Sequence, residues 1–215
     1  MNKVDIKLYG ILDPERSLGR SLGDLAKPAA LGGTTLLQYR SKNAETAVML
    51  EEAATIKTAL ADTSVPLIIN DRVDVALACN AEGVHLGPDD MPVKTARELL
   101  GPKAIIGLSI KTTEQALSAP LELIDYAFVG GVFETQSKDN PTAMGVHGWM
   151  EIANLIKNRA PDMPVGAIAG IDESNVQSLF AAGCDGIAMI SALFMKEDVR
   201  AETAKFLQLI EGAEQ

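Results

Sequence analysis

The sequence predicts a (β/α)8 barrel, the TIM barrel of the α/β class, as one domain spanning residues 1–215. Short apolar runs alternate with amphipathic stretches about eight times along the chain. No Pro/Ser/Gly-rich linker or low-complexity segment divides the 215 residues, and a chain of 22.8 kDa can bury a substantial core as one unit. Aromatic residues make up only 4%, while Ala, Leu, Ile, Val and Gly abound. That composition suits helices packed closely on a sheet better than an all-β sandwich.

In chain order the strand-like runs are IKLYGIL, TTLLQYR, PLIIN, GVHLG, AIIGLS, YAFVGG, PVGAIAG and GIAMIS. The third is typical. Leu67, Ile68 and Ile69 are too few for a helix, follow Pro66, and have no polar alternation, as in a parallel strand buried on both faces. The run ends abruptly in Asn70, Asp71 and Arg72. Polar groups of that kind belong where a strand emerges, and in parallel α/β folds ligands bind at the carboxyl ends of strands.

Helical stretches fill the gaps, among them 45–61, 92–100, 113–118, 148–159, 173–182 and 200–211. Asp172 stands before ESNVQSLFAAG as a candidate cap for free helix N–H groups. Asn80 in CNAEGVHL and Gly183 in AGCDGIAMI can take the left-handed conformation that ends a helix before the next strand. An open doubly wound sheet is the alternative fold, but YGILDPERS lacks the glycine-rich turn that usually follows its first strand.

Formal net charge is −10, and the 19 Lys and Arg residues are scattered rather than clustered, which argues against a nucleic-acid partner. No apolar run approaches the roughly 20 residues that span a bilayer, and MNKVDIKLYG lacks the apolar core of a signal peptide. A soluble cytoplasmic protein without a membrane partner is the expectation. Barrels of this size often associate, so a homo-oligomer stays open. Cys79 and Cys184 lack partners at zinc spacing and read as free thiols.

The strand ends supply a polar inventory: Gln38, Arg40 and Lys42; Asn70 and Asp71; His85, Asp89 and Asp90; Ser109 and Lys111; and Lys138 in the loop after the sixth strand. A period of two points Gln38, Arg40 and Lys42 to one side and Tyr39 and Ser41 to the other. Two cations facing carboxylates call for an anion between them, and a polyphosphate bridged by a divalent ion fits. Asp71 and Asp90 are hard oxygen ligands suited to Mg²⁺, although a single Asp more often caps a turn or helix. His85 reads either as a core residue bonded to a neighbouring strand or as a catalytic base. Gly170, Ile190 and Ser191 lie where this fold often holds phosphate, or they are a loop glycine and a helix cap.

LLQYRSK, LIINDRVDVAL, EGVHLGPDD, GLSI, VFETQSKDNP, VGAIAGI and AAGCDGIAMISAL occur in this order across nearly the whole chain. The set resembles the thiamine-phosphate synthase family, also called thiamine-phosphate pyrophosphorylases. The resemblance implies a Mg²⁺-dependent transferase of two small molecules. It would join 4-amino-2-methyl-5-hydroxymethylpyrimidine diphosphate to 4-methyl-5-(2-phosphoethyl)thiazole and release pyrophosphate. Gln38, Arg40 and Lys42 would then hold the pyrimidine diphosphate, Asn70 the pyrimidine or its diphosphate, and Asp71 and Asp90 the metal. Ser109 and Lys138 would contact the leaving pyrophosphate, with Arg40, Ser109 and Lys138 carrying catalysis. Thr135, Ser137, Gly170, Ile190 and Ser191 would bind the thiazole phosphate.

Family members commonly carry PxFxT at the sixth strand and GG at the seventh, whereas this chain has Gly131 and Glu134 in GGVFET and Ala169 before Gly170. A methyl at Ala169 would narrow the thiazole phosphate site. VFET also resembles the related thiazole tautomerases, in which a histidine stands where this chain has Gly131. A barrel that only binds thiamine precursors would be expected to lose Asp71, Asp90 or Lys138, and all three are present.

Overall fold

The computed structural model describes residues 4–134 and 143–213. Eight parallel strands close into one barrel in chain order, each paired with its sequence neighbours and the last with the first. The strands are β1 (Leu8–Leu12), β2 (Leu36–Tyr39), β3 (Leu67–Asn70), β4 (Gly83–Leu86), β5 (Ile105–Ile110), β6 (Tyr126–Gly130), β7 (Val165–Ile168) and β8 (Gly186–Met189). The connecting helices are α1 (Leu22–Gly32), α2 (Thr46–Leu60), α3 (Val73–Cys79), α4 (Val93–Leu100), α5 (Thr113–Ser118), α6 (Gly145–Arg159) and α7 (Val176–Ala181). After β8 come a single helical turn, α8 (Ser191–Phe194), and the terminal α9 (Val199–Ala213). The barrel expectation holds and the open sheet is excluded.

Strand periodicity divides the core in two. Leu8, Leu12, Leu37, Leu67, Ile69, Val84, Ile106, Val129, Val165 and Ile187 face the helices in one cluster. Tyr9, Ile11, Leu36, Ile68, Tyr126, Phe128 and Ala188 fill the barrel interior in another. Two glycines make room for the interior rings. A Cβ on Gly107 would sit 2.1 Å from the Tyr126 ring, and one on Gly166 would sit 2.3 Å from the Phe128 ring. Both distances are far inside van der Waals contact, so only glycine fits there.

The helix-to-strand joins behave as the sequence predicts: Asn80 caps α3 at φ 51° and Gly183 follows α7 at φ 88°. Asp172 differs. Its carboxylate accepts from the Ser174 N–H at 2.8 Å, closing a turn, and α7 begins only at Val176 behind Asn175. Three consecutive small or polar residues favour that local turn over an earlier helix start. α6 begins at Gly145, so His147 is helical. Among the described residues, no helix is long and apolar enough to cross a membrane.

Candidate active site

Each polar strand end sits where the chain leaves the barrel at its carboxyl-terminal mouth. On β2 the period of two holds. Gln38 turns inward, 2% exposed, and its Nε2 donates to the Tyr9 hydroxyl at 2.7 Å. Tyr39 turns outward to the Glu52 carboxylate on α2, and burial followed by that carboxylate pushes its phenol well above the ordinary range. Arg40 and Lys42 follow at the mouth, each with a carboxylate partner. Arg40 pairs with Asp13 at the end of β1, and Lys42 pairs with Asp71. The cations therefore do not depend on an anion for compensation, which corrects the charge argument made from spacing alone.

Asp13 was not among the sequence candidates. It is 6% exposed, and its carboxylate also accepts from the Glu15 N–H at 3.0 Å at the start of a 3-10 turn, Pro14–Arg16. Its position at the end of β1 was the available signal.

On β3, Asn70 is 8% exposed and its Nδ2 has no hydrogen-bond partner among the described residues. A buried donor left unpaired costs about 1–3 kcal/mol. Next comes Asp71 at φ 61°. Its N–H extends the ladder to the His85 carbonyl at 2.9 Å, and the Arg72 N–H closes back on the Asn70 carbonyl at 2.7 Å. This tight left-handed turn, which Asp tolerates better than most residues, brings the Asp71 carboxylate to Lys42 and to Asp90. Asp90 is positioned by its own loop, accepting from the Gly87 N–H at 2.6 Å.

Burial, and then contact with the Asp71 carboxyl, hold the Asp90 carboxyl above its usual pKa. A raised folded-state pKa means that the native state binds the proton more tightly than the unfolded chain. Stability therefore falls as pH rises from the ordinary value of 3.8 through the raised one, and the cost persists at neutral pH. Asp90→Asn is accordingly expected to melt slightly higher than the parent at pH 7 in chelator, by roughly 1 °C for a half-buried group still partly screened by solvent. The difference should vanish below the ordinary carboxylate pKa; a lower melting point at pH 7 would contradict the like-charge assignment.

Two carboxylates held in contact form a donor set that fits a hard divalent ion. Mg²⁺ typically takes one or two carboxylates and completes its shell with phosphate oxygens and water. Among the described residues, no group of three or more His, Cys, Asp or Glu gathers to hold an ion, so an ion here would draw its remaining ligands from substrate and water.

His85 is a buried interior residue of β4. Its Nε2 lies 2.9 Å from Ser109 Oγ on the neighbouring β5, and its Nδ1 lies 3.2 Å from the Tyr126 hydroxyl. Of the two readings offered for it, the bonded core residue matches this geometry. Asp89 is exposed beside the site, and Lys111 extends past Gly130 at the mouth.

The opposite side of the mouth comes from β7 and β8. Gly170 has φ 66°, and its carbonyl accepts from Asn175 Nδ2 at 2.9 Å. A Cβ there would meet the Glu134 carbonyl oxygen at 2.3 Å, so the glycine allows the two loops to pack. Ile190 caps α8, and the buried Ser191 Oγ at its first turn has no partner among the described residues. α8 is seated by Phe194, whose ring occupies the space a side chain on Gly10 would need. Arg20 pins its far end, donating to the Phe194 carbonyl and, at 2.9 Å, to the Lys196 carbonyl.

Ala169 stands at φ 93°, a conformation that costs a residue with a Cβ about 1–2 kcal/mol. Ala169→Gly should raise the melting temperature by roughly 2–4 °C for about 1 kcal/mol relieved; an unchanged or lower melting point would contradict that strain. Thr135, Ser137 and Lys138 lie outside the described residues, as does most of the segment following the sixth strand.

Fold and mouth together define the class: a (β/α)8 barrel whose polar strand ends gather at the carboxyl-terminal face, where enzymes of this fold carry their active sites. The family model described as thiamine monophosphate synthase matches residues 8–193, and the chain belongs to that family. Thiamine-phosphate synthase of Agrobacterium fabrum is 50% identical over 214 residues, covering 99% of this chain and 97% of that protein. The Pyrococcus horikoshii protein of the same name is 42% identical over 209 residues, covering 97% of each. Among solved structures, thiamine phosphate pyrophosphorylase from Pyrococcus furiosus superposes with a TM-score of 0.85 at 36% identity, covering 99% of this chain and 98% of that one.

Proposed function

We propose that this chain is a thiamine-phosphate synthase, a transferase that joins 4-amino-2-methyl-5-hydroxymethylpyrimidine diphosphate to 4-methyl-5-(2-phosphoethyl)thiazole. Family membership over residues 8–193 carries this assignment. The Lys42–Asp71–Asp90 cluster at the mouth supports it with a place for a diphosphate and a divalent ion. The reaction would run in the cytoplasm on two small molecules.

The proposed chemistry is dissociative. The bond from the pyrimidinylmethyl carbon to the diphosphate oxygen breaks, its electron pair leaves with the diphosphate, and the thiazole nitrogen then captures the carbon. Asp71 and Asp90 would hold Mg²⁺, which when bound supplies positive charge to the leaving diphosphate. Arg40 and Lys42 add fixed positive charge on the same side, an effect that grows as water is excluded. The Ser109 hydroxyl and the unpaired Asn70 amide supply donors to the pyrimidine diphosphate, above an apolar floor that includes Ile68 and Phe128. Gly170, Ile190 and Ser191 take the thiazole phosphate. Lys138, by its likeness to the family pattern, would stabilise the departing pyrophosphate, with Thr135 and Ser137 beside the thiazole phosphate.

The test is direct: purified protein, both precursors and Mg²⁺, with product detected by mass. Thiamine phosphate and pyrophosphate in equal amounts support the assignment. Isomerised thiazole without coupling would replace it with a tautomerase, and binding of either precursor without turnover would replace it with a precursor-binding barrel.

A further inference from the structure

Below the mouth lies a chain of hydrogen bonds that the coupling chemistry does not itself require. Gln38 Nε2 donates to the Tyr9 hydroxyl at 2.7 Å, Tyr9 and Tyr126 share a bond of 3.0 Å, Tyr126 meets His85 Nδ1 at 3.2 Å, and His85 Nε2 meets Ser109 Oγ at 2.9 Å. Tyr9 and Tyr126 are fully buried. Each phenol has one hydrogen to give, and a neutral imidazole has one donor and one acceptor nitrogen.

The first link sets the order of the rest. An amide nitrogen carries only hydrogens, so the Tyr9 oxygen accepts there and must direct its own hydrogen elsewhere. Tyr126 is the phenol placed to receive it, and Tyr126 then directs its hydrogen onto His85 Nδ1. With Nδ1 accepting, the imidazole proton resides on Nε2, which donates to Ser109 Oγ. In the reverse order Tyr9 would accept twice and its hydrogen would be left without a partner in a dry interior, a costly arrangement.

We propose that His85 is a positioning residue. Held as the Nε2–H tautomer by Gln38, Tyr9 and Tyr126, it donates to one lone pair of Ser109 Oγ and leaves the serine hydroxyl hydrogen free to donate to the leaving diphosphate. The consequence for catalysis rests on the function proposed above, but the proton order does not. If the order were reversed, Ser109 would donate to His85 and present only lone pairs to an anion.

The protein contains two histidines, and His147 is exposed on α6, so a ¹⁵N-labelled His147→Gln chain reports on His85 alone. Long-range ¹H–¹⁵N correlation at neutral pH is expected to show Nε2 protonated and Nδ1 bare. A protonated Nδ1, alone or together with Nε2, overturns the proposal whether or not the protein makes thiamine phosphate. Tyr126→Phe removes the donor to Nδ1 and is expected to bring in signal from the second tautomer. It should also lower kcat about tenfold with little change in KM, the signature of a hydrogen bond that strengthens in the transition state. An unchanged kcat alongside a changed tautomer overturns the positioning role. If this variant fails to fold, the tautomer of the parent protein still decides the proton order.

Discussion

Asp71→Asn is expected to lower kcat/KM on the order of 10²–10³-fold, the usual scale for losing one fixed contributor to charge stabilisation at a leaving group. Asparagine is the informative replacement because position 71 is left-handed at φ 61°. Asn tolerates that conformation whereas Ala adds strain of its own, so a loss of activity in Asp71→Asn cannot be attributed to the turn. Asp90→Ala should fall by a similar factor, and the two losses combined should be less than additive because both residues serve one ion. Steady-state assays across a Mg²⁺ titration measure this, with circular dichroism confirming the fold; full activity in either variant would remove the proposed metal site.

The second large effect concerns stability as well as chemistry. Arg40→Ala strands the Asp13 carboxylate, 6% exposed, with the Glu15 N–H as its remaining hydrogen-bond donor among the described residues. Removing one member of a buried ion pair typically costs about 3–5 kcal/mol, or roughly 6–20 °C in melting temperature for a chain of this size. Adding Asp13→Asn should restore most of that stability, since it removes the uncompensated charge, while turnover stays low because the diphosphate still lacks its guanidinium. A double variant that recovers both would reduce Arg40 to a structural partner of Asp13.

How much of this was legible in the sequence follows from how far apart the interacting residues lie. Strand runs, helix ends at Asn80 and Gly183, and the alternation of Gln38, Arg40 and Lys42 are local patterns, and the structure reproduces them. Clustering at the mouth followed from the fold class, since parallel strands present their carboxyl ends together. Pairing between side chains of different strands was not legible. Asp13 meets Arg40 from 27 positions away, and Tyr9 meets Tyr126 from 117 positions away. No spacing rule connects either pair. The left-handed backbone at Asp71 and Ala169 was also hidden, because neither residue type signals a positive φ as glycine does. The sequence marked Ala169 only as a departure from the family pattern, and the structure supplies the physical meaning, a Cβ where the backbone favours none.

The central claim is that the mouth formed by β2 to β5 holds a metal-bound diphosphate. Calorimetric titration of inorganic pyrophosphate into the protein tests it most directly, with Mg²⁺, with chelator, and in Asp71→Asn. Binding should appear with Mg²⁺, disappear in chelator, and weaken by at least about tenfold in the variant, a loss of about 1.4 kcal/mol. Equal affinity in chelator, or in Asp71→Asn, would contradict a metal-assisted diphosphate site at this position.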